Sequence, residues 1–100
     1  MRLNTEQIKV LIRETHRNFG ENAKIWLFGS RVNDTKKGGD IDLYIETDKE
    51  SGVIAAKLAM LMSISEIFGE QKIDILIRSR HLKASAIQET AKSSGKELFS

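Results

Sequence analysis

The strongest constraint on the fold is the alternation of polar and apolar residues in D-I-D-L-Y-I-E, residues 40–46. Side chains alternate between the two faces of a β-strand, so Asp40 and Asp42 point to the same face. The isoleucines and the leucine between and after them point to the other face, where they can be buried. The pattern therefore predicts a strand over residues 41–46 that has one apolar face and one face with two carboxylates.

Two carboxylates on adjacent positions of one strand face are roughly 6–7 Å apart at Cα. They repel each other unless a positive charge lies between them. Magnesium is the expected cation, because it is a hard ion that binds carboxylate and phosphate oxygens. The pair Asp40 and Asp42 therefore predicts a magnesium site.

The remaining elements follow from apolar spacing and from turn residues. Amphipathic spacing predicts a helix over residues 4–19, a long helix over 52–68 and a weaker one over 80–97. Short apolar runs predict two more strands, over 24–28 and 72–77. The order of these elements predicts an α/β (α+β) domain, a small mixed β-sheet with helices packed on it.

The long helix over residues 52–68 is expected to cover the sheet with a broad apolar face. Helical spacing assigns to that face the side chains of Ile54, Leu58, Leu61, Met62, Ser65 and Phe68.

Composition narrows the class of protein. One hundred residues without proline or cysteine predict one domain with a single core. The lack of cysteine excludes disulfides and thiolate metal sites. Without a signal-peptide pattern or an apolar run near 18 residues, we expect a cytoplasmic protein with no membrane contact. The formal charge of +2 comes from interspersed charges, so direct nucleic-acid binding is not expected.

A third acid, Asp74, lies inside the apolar run K-I-D-I-L-I of the last predicted strand. Burying an unpaired carboxylate there would cost several kcal/mol, so Asp74 needs a partner. One interpretation is a structural contact, either a salt bridge to Lys72 or Arg78 or a hydrogen bond from an amide at the end of the strand. The other is that Asp74 joins Asp40 and Asp42 in a cage for two magnesium ions.

The Gly29-Ser30 pair between the first two strands is suited to phosphate binding. Glycine allows the backbone to approach a phosphate closely, and the following N–H groups and the serine hydroxyl can donate to its oxygens. Arg31 could contact a phosphate or lie in solvent. Two metal ions would bridge the attacking and leaving oxygens of a phosphoryl displacement, and Asp74 could help to deprotonate the attacking hydroxyl.

The string F-G-S-R-V…G-G-D-I-D-L-Y-I resembles the G-S…D-x-D signature of the DNA polymerase beta-like nucleotidyltransferase superfamily. It is similar in particular to the minimal nucleotidyltransferase (MNT) proteins of bacteria and archaea. The resemblance covers nearly the whole chain and implies a single minimal nucleotidyltransferase domain over residues 1–100. Two departures lie in the connecting loop, where Asn33-Asp34 and Gly38-Gly39 replace a glycine and a Pro-Ser pair that many members carry.

The resemblance also implies the roles of the site residues. Asp40, Asp42 and Asp74 would bind two Mg²⁺ ions and carry the catalysis. The nucleotide's triphosphate would lie on Gly29 and Ser30.

What the resemblance implies for function is the transfer of AMP from ATP to a hydroxyl group. Minimal members are commonly paired with a helical HEPN toxin, which they modify as antitoxins. The short chain offers no domain for an acceptor, so we expect the acceptor to be a separate molecule. Two alternatives stay open: a non-catalytic antitoxin that acts by occlusion, and an enzyme that modifies a small hydroxylated molecule. Homo- or hetero-oligomerisation is left open as well.

Overall fold

A computed structural model describes residues 3–28, 41–69, 71–80, 82–83 and 85–98 of the protein. No helix within these ranges is long and apolar enough to cross a bilayer.

The described residues form one four-stranded mixed sheet and three helices. The strand order is β3-β2-β1-β4, in which β1 pairs antiparallel with β2 and β4, and β2 pairs parallel with β3. This architecture confirms the predicted fold class. In chain order the elements are α1 (Thr5–Phe19), β1 (Lys24–Phe28), β2 (Ile41–Thr47), α2 (Val53–Phe68), β3 (Ile73–Ser79), α3 (Ala86–Ser94) and β4 (Lys96–Glu97).

The first helix begins and ends where the sequence predicts. The Asn4 side chain accepts a hydrogen bond from the Gln7 backbone N–H at 2.8 Å, and the Gln7 side chain accepts one from the Asn4 N–H at 2.9 Å. This reciprocal capping box satisfies N–H groups that have no partner within the helix. Gly20 ends α1 with φ at 105°, a backbone conformation that glycine adopts without a steric penalty.

The main core lies between the sheet and the layer formed by α1 and α2. The odd-numbered side chains of β2, Ile41, Leu43 and Ile45, are completely buried there, as the alternation predicts. The helix α3 packs against the opposite face of the sheet, the face of Asp42, where it contacts β1 and β2. The sheet therefore has helices on both of its faces, and β1 is buried on both.

The prediction for the apolar face of α2 is wrong. The buried residues of α2 are Ala56, Met60, Ile64 and Phe68. Of the predicted set, Phe68 is buried and Leu61 is partly buried, whereas Ile54, Leu58, Met62 and Ser65 are exposed. Apolar periodicity does not discriminate here, because α2 carries an apolar series with a spacing of four residues on each of its two sides.

Two boundaries near the C-terminus also differ from the prediction. Strand β3 continues to Ser79, and α3 covers only part of the predicted range 80–97. The helix begins late because Ser85 and Gln88 form a second reciprocal pair at its start, with backbone-to-side-chain hydrogen bonds of 2.9 and 3.2 Å. The sequence predicts a brief extended end at Leu98-Phe99, whereas the two-residue strand β4 is Lys96–Glu97. Its position comes only from its pairing with Trp26 and Leu27.

The packing of α2 predicts that truncating Met60 and truncating Met62 have very different effects on stability, although the two residues are only two positions apart. Met60→Ala should destabilise the fold by about 2–5 kcal/mol, because Met60 is fully buried and its truncation leaves a cavity. Met62→Ala should change the free energy of unfolding by less than about 0.5 kcal/mol, since Met62 is 74% exposed. Urea denaturation of dilute protein measures both. Equal losses in the two variants would contradict the orientation of α2.

Candidate active site

The parallel pairing of β2 with β3 brings two of the predicted acids together. In this register Asp42 is the direct neighbour of Asp74. Neighbouring strands are about 4.8 Å apart, so the two carboxylates leave the sheet side by side on the same face. Asp42 is half-buried, whereas the side chain of Asp74 is 54% exposed. The pair therefore forms an acidic site that is open on the side of Asp74.

Asp74 is exposed because β3 is the edge strand of the described sheet. The burial cost expected for this acid therefore does not arise. Lys72 Nζ lies 4.0 Å from Asp74 Oδ2, but both side chains are largely exposed, and such surface pairs contribute at most about 1 kcal/mol. Arg78, the other predicted partner, pairs with Glu46 instead. The predicted salt bridge is therefore only the weak contact with Lys72. Asp74 remains accessible to a metal or a substrate.

The other predicted site residues, Gly29, Ser30, Arg31 and Asp40, lie outside the described residues, so their roles stay predictions. Phe28, the last described residue of β1, is the antiparallel partner of Asp42. Within the described ranges, no three His, Cys, Asp or Glu side chains are grouped closely enough to hold a metal ion.

A layer of aromatic side chains lies next to the acids on the same face. The rings of Trp26 and Tyr44 are 5.3 Å apart between centroids and tilted by 45°. Both residues are buried, and the half-buried Phe28 and Leu76 pack against them. This layer is an apolar boundary between the acidic site and the polar cluster at the other end of the strands.

That polar cluster is centred on Glu46, a buried carboxylate that is not among the predicted site residues. Tyr44 Oη donates a hydrogen bond to Glu46 Oε2 at 2.8 Å, and Arg78 Nη1 donates to the same oxygen at 3.2 Å. Lys92 Nζ, from α3, lies 3.2 Å from Oε2, and Arg80 Nε lies 3.9 Å from Oε1. Glu46 therefore connects β2 to β3 and to α3.

The signal for Glu46 was present in the sequence. The period of two that relates Asp40 to Asp42 continues to Glu46, and Arg78 follows Glu46 by the same 32 residues that separate Asp74 from Asp42. Only the strand register shows that this matching offset puts the acid and the cation side by side.

The cluster changes the pKa of two of its members. Burial alone would raise the pKa of Glu46, but hydrogen bonds from Tyr44 and Lys92 and the charges of Lys92 and Arg78 outweigh burial and lower it. Burial, followed by the hydrogen bond to Glu46, raises the pKa of Tyr44 to about 12. At neutral pH Glu46 is therefore ionised and Tyr44 is a neutral donor.

The family is shown by comparison with known proteins. The family model described as "Polymerase beta, Nucleotidyltransferase" matches residues 8–100. The chain belongs to the polymerase beta nucleotidyltransferase family. A search of curated proteins finds no significant match. The matched range contains the four described strands and the acids Asp42 and Asp74. The family generally uses a nucleoside triphosphate and a divalent metal.

The lowered pKa of Glu46 predicts that its contribution to the stability of the fold depends on pH. Glu46→Gln should destabilise the fold by about 2 kcal/mol at pH 7, because it weakens charge-assisted hydrogen bonds to Tyr44, Arg78 and Lys92. Because the pKa of Glu46 is lower in the folded protein than in the unfolded chain, the ionised carboxylate stabilises the fold fully above pH 4.5. This stabilisation is lost as the pH falls through the pKa of the folded protein. The difference between wild type and variant should therefore shrink below pH 4.5 in urea denaturation. A constant difference down to acid pH would contradict the ionised state of Glu46.

The raised pKa of Tyr44 can be measured directly, because Tyr44 is the only tyrosine of the chain. Ultraviolet titration of the folded protein should show a midpoint near pH 12, whereas the urea-unfolded chain should titrate near pH 10.0. Since the folded value is the higher one, the associated stabilisation is present below pH 10.0 and is lost as the pH rises toward 12. A midpoint near 10 in protein that circular dichroism shows to be folded would contradict the buried hydrogen bond.

Proposed function

We propose that this nucleotidyltransferase domain transfers AMP from ATP to a hydroxyl group of a partner protein, with magnesium as the metal. The observation that supports it most is the register of β2 and β3, which puts the carboxylates of Asp42 and Asp74 side by side at an open position. Family membership supplies the reaction class, nucleotidyl transfer.

The donor groups at this position suit a hard divalent cation. Asp42 and Asp74 offer carboxylate oxygens, the ligands that magnesium prefers. Together with Asp40 they would hold two ions, which would neutralise charge on the triphosphate and help to align the reacting oxygens.

The side chains of the domain have separate tasks in this reaction. Gly29, Ser30 and Arg31 would bind the triphosphate and orient its α-phosphorus. Asp74, the more exposed acid, would accept the proton of the incoming hydroxyl. The hydroxyl oxygen forms a bond to the α-phosphorus while the bond from that phosphorus to the bridging oxygen breaks, and pyrophosphate leaves. The acceptor keeps the AMP as a phosphodiester.

The proposed acceptor is a helical protein of the HEPN type, and the proposed role is that of an antitoxin. What supports this is the similarity of F-G-S-R-V…G-G-D-I-D-L-Y-I to minimal nucleotidyltransferases that modify such toxins. The exposure of Asp74 is consistent with an acceptor as large as a protein, because a macromolecular hydroxyl can approach from the open side of the acid pair.

The reaction is tested with α-labelled ATP, magnesium and host-cell extract. Wild-type protein should label one protein band, and Asp42→Asn should lower the label at least about 100-fold, since losing a direct metal ligand costs at least as much as losing a residue that only supports a ligand. Asp48→Asn is the matched control, because Asp48 is an exposed acid that follows the same strand and pairs with Arg80 at 3.0 Å. This control should keep full activity.

The other outcomes identify the alternatives. If none of the four nucleotides gives label although the protein retains a partner in a pull-down, catalysis is excluded and the protein acts by occlusion. Label that appears only in small molecules would indicate a small hydroxylated acceptor. Thermal unfolding of Asp42→Asn without metal is the control for folding. A lost transition would show that Asp42 is a structural residue.

A further inference from the structure

The outer face of α2 is apolar and exposed. Ile54, Leu58 and Met62 follow one another at intervals of four residues and are 70%, 57% and 74% exposed. The opposite side of the same helix is buried in the core. A helix that is apolar on all sides is normally covered on all sides, and a row of large exposed apolar side chains marks an interaction surface.

A second row, of small residues, runs beside these large ones. Ala55, Ala59 and Ser63 each follow a large residue of the first row by one position, and all three are exposed. The face therefore presents a ridge and a groove side by side. Two copies of such a face can fit together, because the ridge of one helix packs into the groove of the other.

We propose that α2 is a homodimer interface in which two copies of the helix pack antiparallel about a twofold axis between positions 58 and 59. A twofold interface uses the same patch on both subunits, so the patch must be complementary to itself. In this register each large side chain lies in one layer with a small one of the second copy. The layers pair Ile54 with Ser63, Leu58 with Ala59, and Met62 with Ala55.

The charges at the two ends of the face fit the same register. Within α2 the outer face has one acid, the exposed Glu66 near its C-terminal end. At the N-terminal end, Lys49 Nζ lies 3.9 Å from the point where a Cβ atom on Gly52 would stand. The twofold axis that pairs Leu58 with Ala59 brings Glu66 of each copy to the level of position 51 in the other. In the proposed dimer each Glu66 is therefore level with the Lys49 ammonium of the second copy, which allows two ion pairs across the interface.

The size of the surface sets the expected strength of association. A 16-residue helix is about 24 Å long and about 10 Å wide. That strip is smaller than the roughly 800 Å² per partner of a standard stable interface. We therefore expect a dissociation constant in the micromolar range. The proposed dimer does not depend on the nucleotidyl transfer proposed above.

The first test compares two leucines of nearly equal exposure. Sedimentation velocity from about 5 to 500 µM should show wild type moving from the 11.3 kDa monomer toward twice that mass. Leu58→Lys should raise the dissociation constant about 100-fold, because one charge from each copy is desolvated at the centre of the interface. Leu82→Lys should leave it unchanged, since Leu82 is 59% exposed and lies outside α2.

A charge exchange tests the antiparallel register. Lys49→Glu and Glu66→Lys should each weaken the dimer about five- to tenfold, since each creates two like-charge contacts. The double variant restores opposite charges and should return the dissociation constant to within about threefold of wild type. All these substitutions are at exposed or half-buried positions, and circular dichroism verifies the fold.

Three results would overturn the proposal. The first is a wild type that remains monomeric at 500 µM, and the second is a dimer that Leu58→Lys does not weaken. The third is a double charge exchange that restores nothing, which would exclude this register. If the protein is monomeric alone but Leu58→Lys abolishes its binding to the labelled acceptor, the outer face of α2 belongs to that acceptor instead of a second copy.

Discussion

The parallel register between β2 and β3 is the constraint on which the rest of the structure depends. A shift by one residue would turn the side chains of one strand to the opposite face and would separate Asp42 from Asp74. The observed register also buries Ile41 and Ile75 in the core, and it pairs Glu46 with Arg78. The apolar core and the ion pair therefore both select this alignment, and the pairing of Asp42 with Asp74 follows from it.

On the sheet face that carries Asp42, the acids proposed for catalysis lie apart from the charged residues that stabilise the fold. Glu46 is four residues from Asp42 along β2, or about 13 Å. Trp26 and Tyr44 fill the space between them with apolar rings. Arg78 of β3 and Lys92 of α3 pair with Glu46 at the end of β2 that is distant from Asp42. They hold α3 against the sheet without occupying the position where a metal and a triphosphate would bind.

The two surfaces of the domain with proposed functions lie on opposite sides of the sheet. The acids open on the face that α3 covers in part, whereas α2 packs on the other face and turns its row of large side chains away from the sheet. Association through α2 would leave Asp74 accessible to an acceptor. With this separation, the proposed dimer would not block the proposed transfer to a separate molecule.

The sequence by itself determined those features that depend on neighbouring residues. The alternation in β2 identified its buried face, the capping box identified the start of α1, and the Gly29-Ser30 and D-x-D motifs indicated the family. Tertiary structure alone decided which side of α2 is buried, because both sides are apolar and only contact with α1 and the sheet distinguishes them. It also decided that Asp74 lies on an edge strand of the described sheet, and that the cations of β3 and α3 surround Glu46. A strand's place in the sheet and a charge's partners come from residues about 30 or more positions away, and no local pattern contains that information.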